Sequence, residues 1–355
     1  MRKKEYNLAL SKITMQLLFW LIINLTYIYA QSRSRYSDIP RIDVHTHIGG
    51  DSIGIVNFLK VRKILIDTYN VDLAMFIDVG TSENQIPDLN KSIYVSKNRV
   101  FTCISDFSAH DGLDISPKDL HVWLDKGYVG YKIWAGPYYR RLGEREEGFR
   151  YIDNIVHEPT FAEMERIGMV AASIHIADPN GPYGKRTEWL SDPVEYWREI
   201  TAWRHVLERH PNLVAVAAHG NWLVCQDAQL DYLRNMLATF PYLYVDLAAT
   251  FQYFYLLDHE NLRDFMIEWA DRILYGTDIS TFSDPKEVKL YAERYIRTFK
   301  ILETNEMVEG GFFGSNPIQG LSLPRDVLEK IYYKNALKIY PNLKEQLSEL
   351  GYRVK

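Results

Sequence analysis

Eight short runs rich in β-branched and apolar residues recur along this chain, and segments with helical periodicity lie between them. The runs read IDVHTH (42–47), VDLAMFIDVG (71–80), RVFTCISDF (99–107), VGYKIW (129–134), MVAASIHIAD (169–178), LVAVAAHG (213–220), LYVDLAA (243–249) and ILYGTDIS (273–280). Continuous apolar runs of this length suit strands covered on both faces, as in parallel sheets. Between the sixth and seventh runs, DAQLDYLRNMLATFP puts Leu230, Leu233 and Leu237 on one helical face, with Pro241 placed to stop the helix. DPVEYWREITAWRHVLERHP, before the sixth run, has the same character. Strand alternating with helix implies βαβ units. Eight of them predict an α/β fold, a single-domain (β/α)8 TIM barrel. The sequence shows no second domain, internal repeat or low-complexity linker.

Such a barrel carries its chemistry at the C-terminal ends of the strands and in the segments that follow. Two of those segments are long, AGPYYRRLGEREEGFRYIDNIVHEPT after the fourth run and the stretch from the eighth run to about Leu323. Beyond them, LPRDVLEKIYYKNALKIYP reads as a final helix with Pro324 at its first position, and Val327, Leu328 and Ile331 as its packing face.

The ends of the runs are unusually polar. The first closes on His45 and His47, the fourth carries Lys132, the fifth His175, the sixth His219 and the eighth Asp278. Residues i and i+2 of a strand project from the same side, so both histidines of RIDVHTHIGG can face the barrel axis. Neutral imidazoles and a carboxylate are ligands for zinc and similar divalent ions. Taken singly, each has a plain structural reading: a hydrogen-bonded core histidine for His175, a helix cap for His219, an ion-pair partner for Lys132, a turn residue for Asp278. Together, four such groups converging inside apolar strands would be costly to bury without a shared partner. Gly49 and Gly50 give the chain room to turn away after His47, as ordinary turn punctuation also would.

The phrases DVHTHIGG, HIADP, AAHGNW, YVDLAA, RILYGTDIS and VLEKIYYKNALKIYP together resemble the amidohydrolase superfamily, in the amidohydrolase-related branch that also contains metal-dependent nonoxidative decarboxylases. The resemblance covers about residues 40–341. It implies a divalent metal, zinc by preference, held by His45, His47, His175 and Asp278, with His219 beside it as acid/base and Asp278 also taking the proton of an attacking water. In binuclear members of the superfamily a lysine on the fourth strand is carboxylated and bridges two metals. Here that would be Lys132, with His45, His47 and Asp278 on one ion and His175 and His219 on the other. One ion is the more usual arrangement in the branch resembled, and is the expectation here.

The loops after the fourth and fifth runs offer Tyr138, Tyr139, Arg140, Arg141, Lys185 and Arg186, and Trp222 follows the sixth. Of these Tyr138, Arg140, Arg141, Arg186 and Trp222 are the candidate pocket residues. Arginines there would suit an anionic substrate, and solvated loop charge explains them equally well. His110, just past the third run, is the one further histidine placed to reach the mouth.

The first thirty residues stand apart. MRKKEYNLALSK is basic, and ITMQLLFWLIINLTYIYA is apolar and ends in Ala30. This is the layout of a secretory signal peptide over residues 1–30, cleaved before Gln31, which leaves the barrel to residues 31–355. An uncleaved anchor is the competing reading, since the run approaches the length a bilayer requires. Either way the folded part is exported, periplasmic or secreted, with no stable membrane insertion once the leader is gone. Net charge is −5, which gives no basic footprint for nucleic acid. Two cysteines, Cys103 and Cys225, do not make a disulfide framework and read as buried thiols.

The expectation is an exported metal-dependent hydrolase that uses a metal-activated water to cleave a C–N or C–O bond, in an amide, lactone or ester, of a small molecule. A nonoxidative decarboxylase on the same scaffold is the first alternative and a non-catalytic small-molecule-binding barrel the second. A homo-oligomer is compatible with the sequence.

Overall fold

The computed structural model describes residues 33–106, 115–136, 151–177, 193–309 apart from 283 and 285, and 316–354. Ten short strands carry the barrel: β1 Arg41–His47, β2 Leu73–Asp78, β3 Val100–Thr102, β4 Ile104–Asp106, β5 Tyr131–Ile133, β6 Ala171–Ile174, β7 Ala215–Ala217, β8 Leu243–Asp246, β9 Ile273–Leu274 and β10 Ile279–Ser280. All pair in parallel, in the orders β10-β1-β2-β3 and β4-β5-β6-β7-β8-β9.

The two sheets share their boundary segments. Only Cys103 separates β3 from β4; its N–H donates to Asp78 O while the next N–H, of Ile104, donates to Gly130 O. The third predicted run therefore pairs with β2 by its first half and with β5 by its second. The eighth run divides in the same way. Its β9 pairs with β8 and its β10 with β1. Between those halves Val44 N–H donates to Tyr275 O and Asp278 N–H to His45 O at 2.8 Å. The fold is the (β/α)8 barrel, and its strands fall on the eight apolar runs. Every residue of β2, β5, β6, β7 and β8 is buried, as a two-face-covered strand demands.

The helices follow. Asp227–Thr239 buries Leu230, Leu233 and Leu237, the face its spacing predicts. The connection after the eighth run is more ordered than its reading as one long loop. It contains the helix Glu287–Glu303, packed on Ser52–Tyr69, and an antiparallel pair, β11 Met307–Val308 with β12 Ile318–Gln319. The final helix begins one residue later than expected, at Arg325, with Pro324 as its cap. Its face of Val327, Leu328 and Ile331 is buried. At Lys330–Lys334 it opens into a π turn. A π turn leaves a carbonyl unclaimed by the regular ladder, and Ile331 O is taken by Tyr275 N–H at 2.9 Å. Cys103 and Cys225 are buried thiols. Among the described residues no helix is long and apolar enough to cross a membrane.

One buried carboxylate staples the eighth segment to β1. Asp43 Oδ1 accepts from His45 N–H at 3.1 Å and Thr277 N–H at 3.2 Å. Its Oδ2 accepts from Thr277 Oγ1 at 2.5 Å and Tyr295 Oη at 2.6 Å. Removing the acceptor orphans four donors in a place water does not reach. Asp43→Ala is expected to cost about 3 kcal/mol in urea unfolding, whereas an exposed control such as Asp67→Ala should change stability by less than about 0.5 kcal/mol. Equal effects from the two would contradict the staple.

Candidate metal centre

The polar residues that close the runs meet at one end of the barrel. His45 and His47 lie two apart on β1, and Lys132 is central in β5. His175 follows β6 by one residue and is bridged in parallel to Trp134. His219 follows β7, Asp246 ends β8, and Asp278 sits between β9 and β10. The backbone there is bent: Ser173, His219, Ala249 and Asp278 all have positive φ, at 47°, 57°, 54° and 68°. Side-chain-bearing residues pay for that conformation with roughly 1–2 kcal/mol each, so packing and hydrogen bonds must hold it.

The imidazoles are fixed by what their Nδ1 atoms touch. His47 Nδ1 lies 2.6 Å from Gly80 O and His219 Nδ1 2.8 Å from Ala248 O. A carbonyl only accepts, so each of these nitrogens carries the proton. His45 Nδ1 lies 2.9 Å from Asp246 Oδ2 and donates to it in the same way. In a neutral ring the other nitrogen, Nε2, is then a lone pair. Burial pushes His45 down to about 4, helped by the Lys132 ammonium and opposed by Asp246 and Asp278. Burial likewise pushes His219 down to about 3, against the pull of Asp278. Both rings are neutral at pH 7.

Their Nε2 atoms meet at one carboxylate. His45 Nε2 is 3.3 Å and His47 Nε2 3.0 Å from the same oxygen, Asp278 Oδ1. His219 Nε2 is 3.2 Å from His175 Nδ1, which must therefore donate. Donor atoms of His45, His219 and Asp278 lie within 4.8 Å of one another. Burial raises the Asp278 carboxyl, but its hydrogen bond with His47 leads the contacts that hold the acid well below the usual carboxylate range. Neutral imidazole nitrogens gathered around a carboxylate oxygen fit a divalent cation of the zinc type. Lys132 Nζ reaches His45 Nε2 at 3.3 Å, and burial, opposed by Asp278 and Asp246, brings its ammonium down to about 8.

Two supporting carboxylates were not singled out in the sequence. Asp246 takes His45 Nδ1–H and, at 2.8 Å, Ser173 Oγ–H on Oδ2, and the N–H groups of His219 (2.9 Å) and Ala248 (3.2 Å) on Oδ1. Its signal was present: it is the only acidic residue of LYVDLAA, at a strand end like Asp278. Asp78 accepts the N–H groups of Ile48, Gly49, Gly50 and Gly80 at 2.8–3.1 Å. That nest fixes Gly80, whose carbonyl anchors His47. It also fixes the glycine pair after His47, at φ 70° and 65°. A Cβ on Gly50 would sit 2.9 Å from Pro87 Cβ.

Trp222, a candidate pocket residue, is only 5% exposed and stacks on His219. Trp134 stands edge-on to His47, with ring centroids 5.3 Å apart. Tyr138, Arg140, Arg141 and Arg186 lie outside the described residues, as do His110 and the predicted leader over residues 1–30.

Comparison with known proteins gives a match to the family model described as amidohydrolase over residues 127–341. Among solved structures, an uncharacterized TIM-barrel protein from Bordetella bronchiseptica is similar at 16% identity and a TM-score of 0.50, over 87% of this chain and 99% of that one. A dihydroorotase from Campylobacter jejuni is similar at 14% identity and a TM-score of 0.46, over 84% and 82% of the two chains. A 5-carboxyvanillate decarboxylase from Novosphingobium aromaticivorans, complexed with manganese and a nitrobenzoic acid, is similar at 12% identity and a TM-score of 0.42, over 86% and 97%. No curated protein matches the sequence.

The buried imidazoles carry a pH prediction. The unfolded chain binds protons on His45 and His219 near the ordinary value of 6.5, and the folded protein not until about 4 and 3. Between those limits the unfolded state binds more protons, so acid favours it. Urea unfolding in the presence of a chelator is expected to show stability falling from about pH 6.5 to pH 4, with a shallower fall in a His45→Gln/His219→Gln protein. Equal slopes would count against neutral rings.

Proposed function

The chain belongs to the amidohydrolase family, and from that premise we propose that it is an exported hydrolase that uses one divalent ion, zinc by preference, to cleave a C–N or C–O bond in a small amide, lactone or ester. The observation that carries this reading is the convergence of Nε2 of His45 and of His47 on Asp278 Oδ1, at 3.3 and 3.0 Å. His45, His47, His175 and Asp278 would hold the ion, through Nε2 of each ring and a carboxylate oxygen. One ion is the usual arrangement in the branch the sequence resembles, and His219, whose Nε2 faces His175 Nδ1 at 3.2 Å, is then left to acid/base work rather than ligation. Lys132 is then an unmodified side chain beside the ligands, its Nζ 3.3 Å from His45 Nε2.

A divalent ion bound there would polarise a substrate oxygen and make a water acidic enough to lose its proton near neutrality. The rest falls to the chain. Asp278 keeps its carboxylate ionised and 28% exposed, so it can accept a proton from an attacking water at the mouth. His219 borders the same space; when its contact with His175 opens, Nε2 takes up that proton and returns it to the leaving group. Its Nδ1–H stays on Ala248 O throughout, which holds the ring in place. Lys132 supplies positive charge beside the developing oxyanion. Trp134, edge-on to His47, walls the site with an apolar surface. Support for export is the basic-then-apolar layout of residues 1–30.

The test is a panel of small lactones, amides, esters and aromatic acids, assayed with zinc or manganese supplied in 18O-labelled water. Hydrolysis is expected, with one labelled oxygen in the product, and His45→Ala and Asp278→Ala should each lower the rate at least about 100-fold. Release of CO2 from an aromatic acid without incorporation of label would make the protein a decarboxylase and overturn the reading.

A further inference from the structure

The segment that delivers His219 is a left-handed turn. His219, Gly220, Asn221 and Trp222 have φ of 57°, 53°, 53° and 60° with ψ between 14° and 29°. Glycine enters this region freely and asparagine tolerates it, but histidine and tryptophan rarely do. Nothing in local propensity would hold four residues there, so the conformation is set by what the side chains reach. At three residues per turn, positions i and i+3 eclipse. That brings the Trp222 indole over the His219 imidazole, with centroids 4.6 Å apart and planes 24° from parallel.

The indole is itself held from two neighbouring loops. Trp222 Nε1–H donates to Ala177 O at 2.9 Å, two residues past His175. Tyr253, from the turn after β8, meets it edge-on at 5.7 Å. The His45 ring also lies near-parallel to His219, at 5.0 Å and 30°. His219 therefore has its plane set by stacked rings and its Nδ1–H set by Ala248 O. Only with that plane fixed does its Nε2 face His175 Nδ1 at 3.2 Å.

We propose that Trp222 is a positioning residue: its indole fixes the plane of His219 and, through the His219–His175 hydrogen bond, keeps the His175 proton on Nδ1. This rests on the metal-dependent reading of the site. It makes Trp222 part of the support of the centre rather than a substrate-contacting wall. Loss of the aromatic face frees the His219 ring to rotate and exchanges which nitrogen of the His219–His175 pair carries the proton.

Three proteins test it: wild type, Trp222→Phe, which keeps an aromatic face, and Trp222→Leu, which does not. In metal-free protein, long-range proton–nitrogen NMR reads which ring nitrogen of His219 is protonated. Wild type and Trp222→Phe are expected to show Nδ1–H alone, and Trp222→Leu an average of both nitrogens. Titrated with Co(II), Trp222→Leu should bind about tenfold more weakly than wild type, with Trp222→Phe close to wild type. A purely structural tryptophan would lower the melting temperature of both variants and leave the tautomer of His219 unchanged. An unaltered His219 signal and Co(II) affinity in Trp222→Leu overturn the proposal. Should Trp222→Leu not fold, Trp222→Met, which refills the volume without a ring, carries the same comparison. If wild type itself binds no Co(II), the metal reading fails, while the NMR comparison still decides the role of Trp222.

Discussion

Asp246 is buried at the end of β8 and receives four donors, two on each oxygen. Two of them come from the site: the Nδ1–H of His45 and the backbone N–H of His219. Burial alone would raise this carboxyl, but the hydrogen bonds from His45 Nδ1–H and the His219 N–H help hold it below the usual range. An ionised carboxylate fully out of water survives only when every lone pair is engaged. This one is, and the engagement has a geometric product. It decides that His45 presents Nε2 rather than Nδ1 to the centre, and it clamps the strained backbone of His219. The remaining imidazoles repeat the device with weaker acceptors: Gly80 O for His47, Ala248 O for His219, and His219 Nε2 for His175.

The barrel explains why such an arrangement can be built at all. Parallel strands deliver their last residues to one rim, and most polar groups of the site lie at or near those ends, Lys132 in the middle of β5 being an exception. The rim is also where the backbone departs from extended geometry, at Ser173, His219, Ala249 and Asp278. Those bends cost stability locally, and the hydrogen bonds of Asp43, Asp78 and Asp246 around them offset it. Three buried aspartates thus fix the segments that carry the imidazoles and Asp278, and none of the three needs to touch a substrate.

Much of this was legible in the sequence because burial on both faces writes a continuous apolar run. The eight runs match the barrel strands, and the polar residues that close them, His45, His47, His175, His219 and Asp278, lie together at one end. Asp246 could have been found by the same reasoning, as the lone carboxylate of its run. The anchors of His47 and His219 could not, since Gly80 O and Ala248 O are backbone atoms and any residue supplies a carbonyl. The left-handed turn at His219–Trp222 is likewise unreadable from propensity, because contacts distant in sequence impose it. Trp222 therefore looked like a pocket residue, and its stacking on His219 appears only in three dimensions. The break of the third run at Cys103 and of the eighth at 275–278 follows from sheet pairing, which leaves no mark on local periodicity. The helix Glu287–Glu303, expected only as part of one long connection, nonetheless carries a readable signal: EVKLYAERYIRTFKILE buries Val288, Ala292, Tyr295, Phe299 and Leu302 at helical spacing.

The central claim is that the lone pairs gathered around Asp278 are there for a divalent cation. Elemental analysis of the purified protein, reconstituted with zinc and freed of loose metal, tests it most directly. The account predicts about one tightly held ion per chain in the wild type and none in His45→Ala or Asp278→Ala. A wild-type protein that retains no ion, or variants that retain it in full, would contradict the assignment of this site.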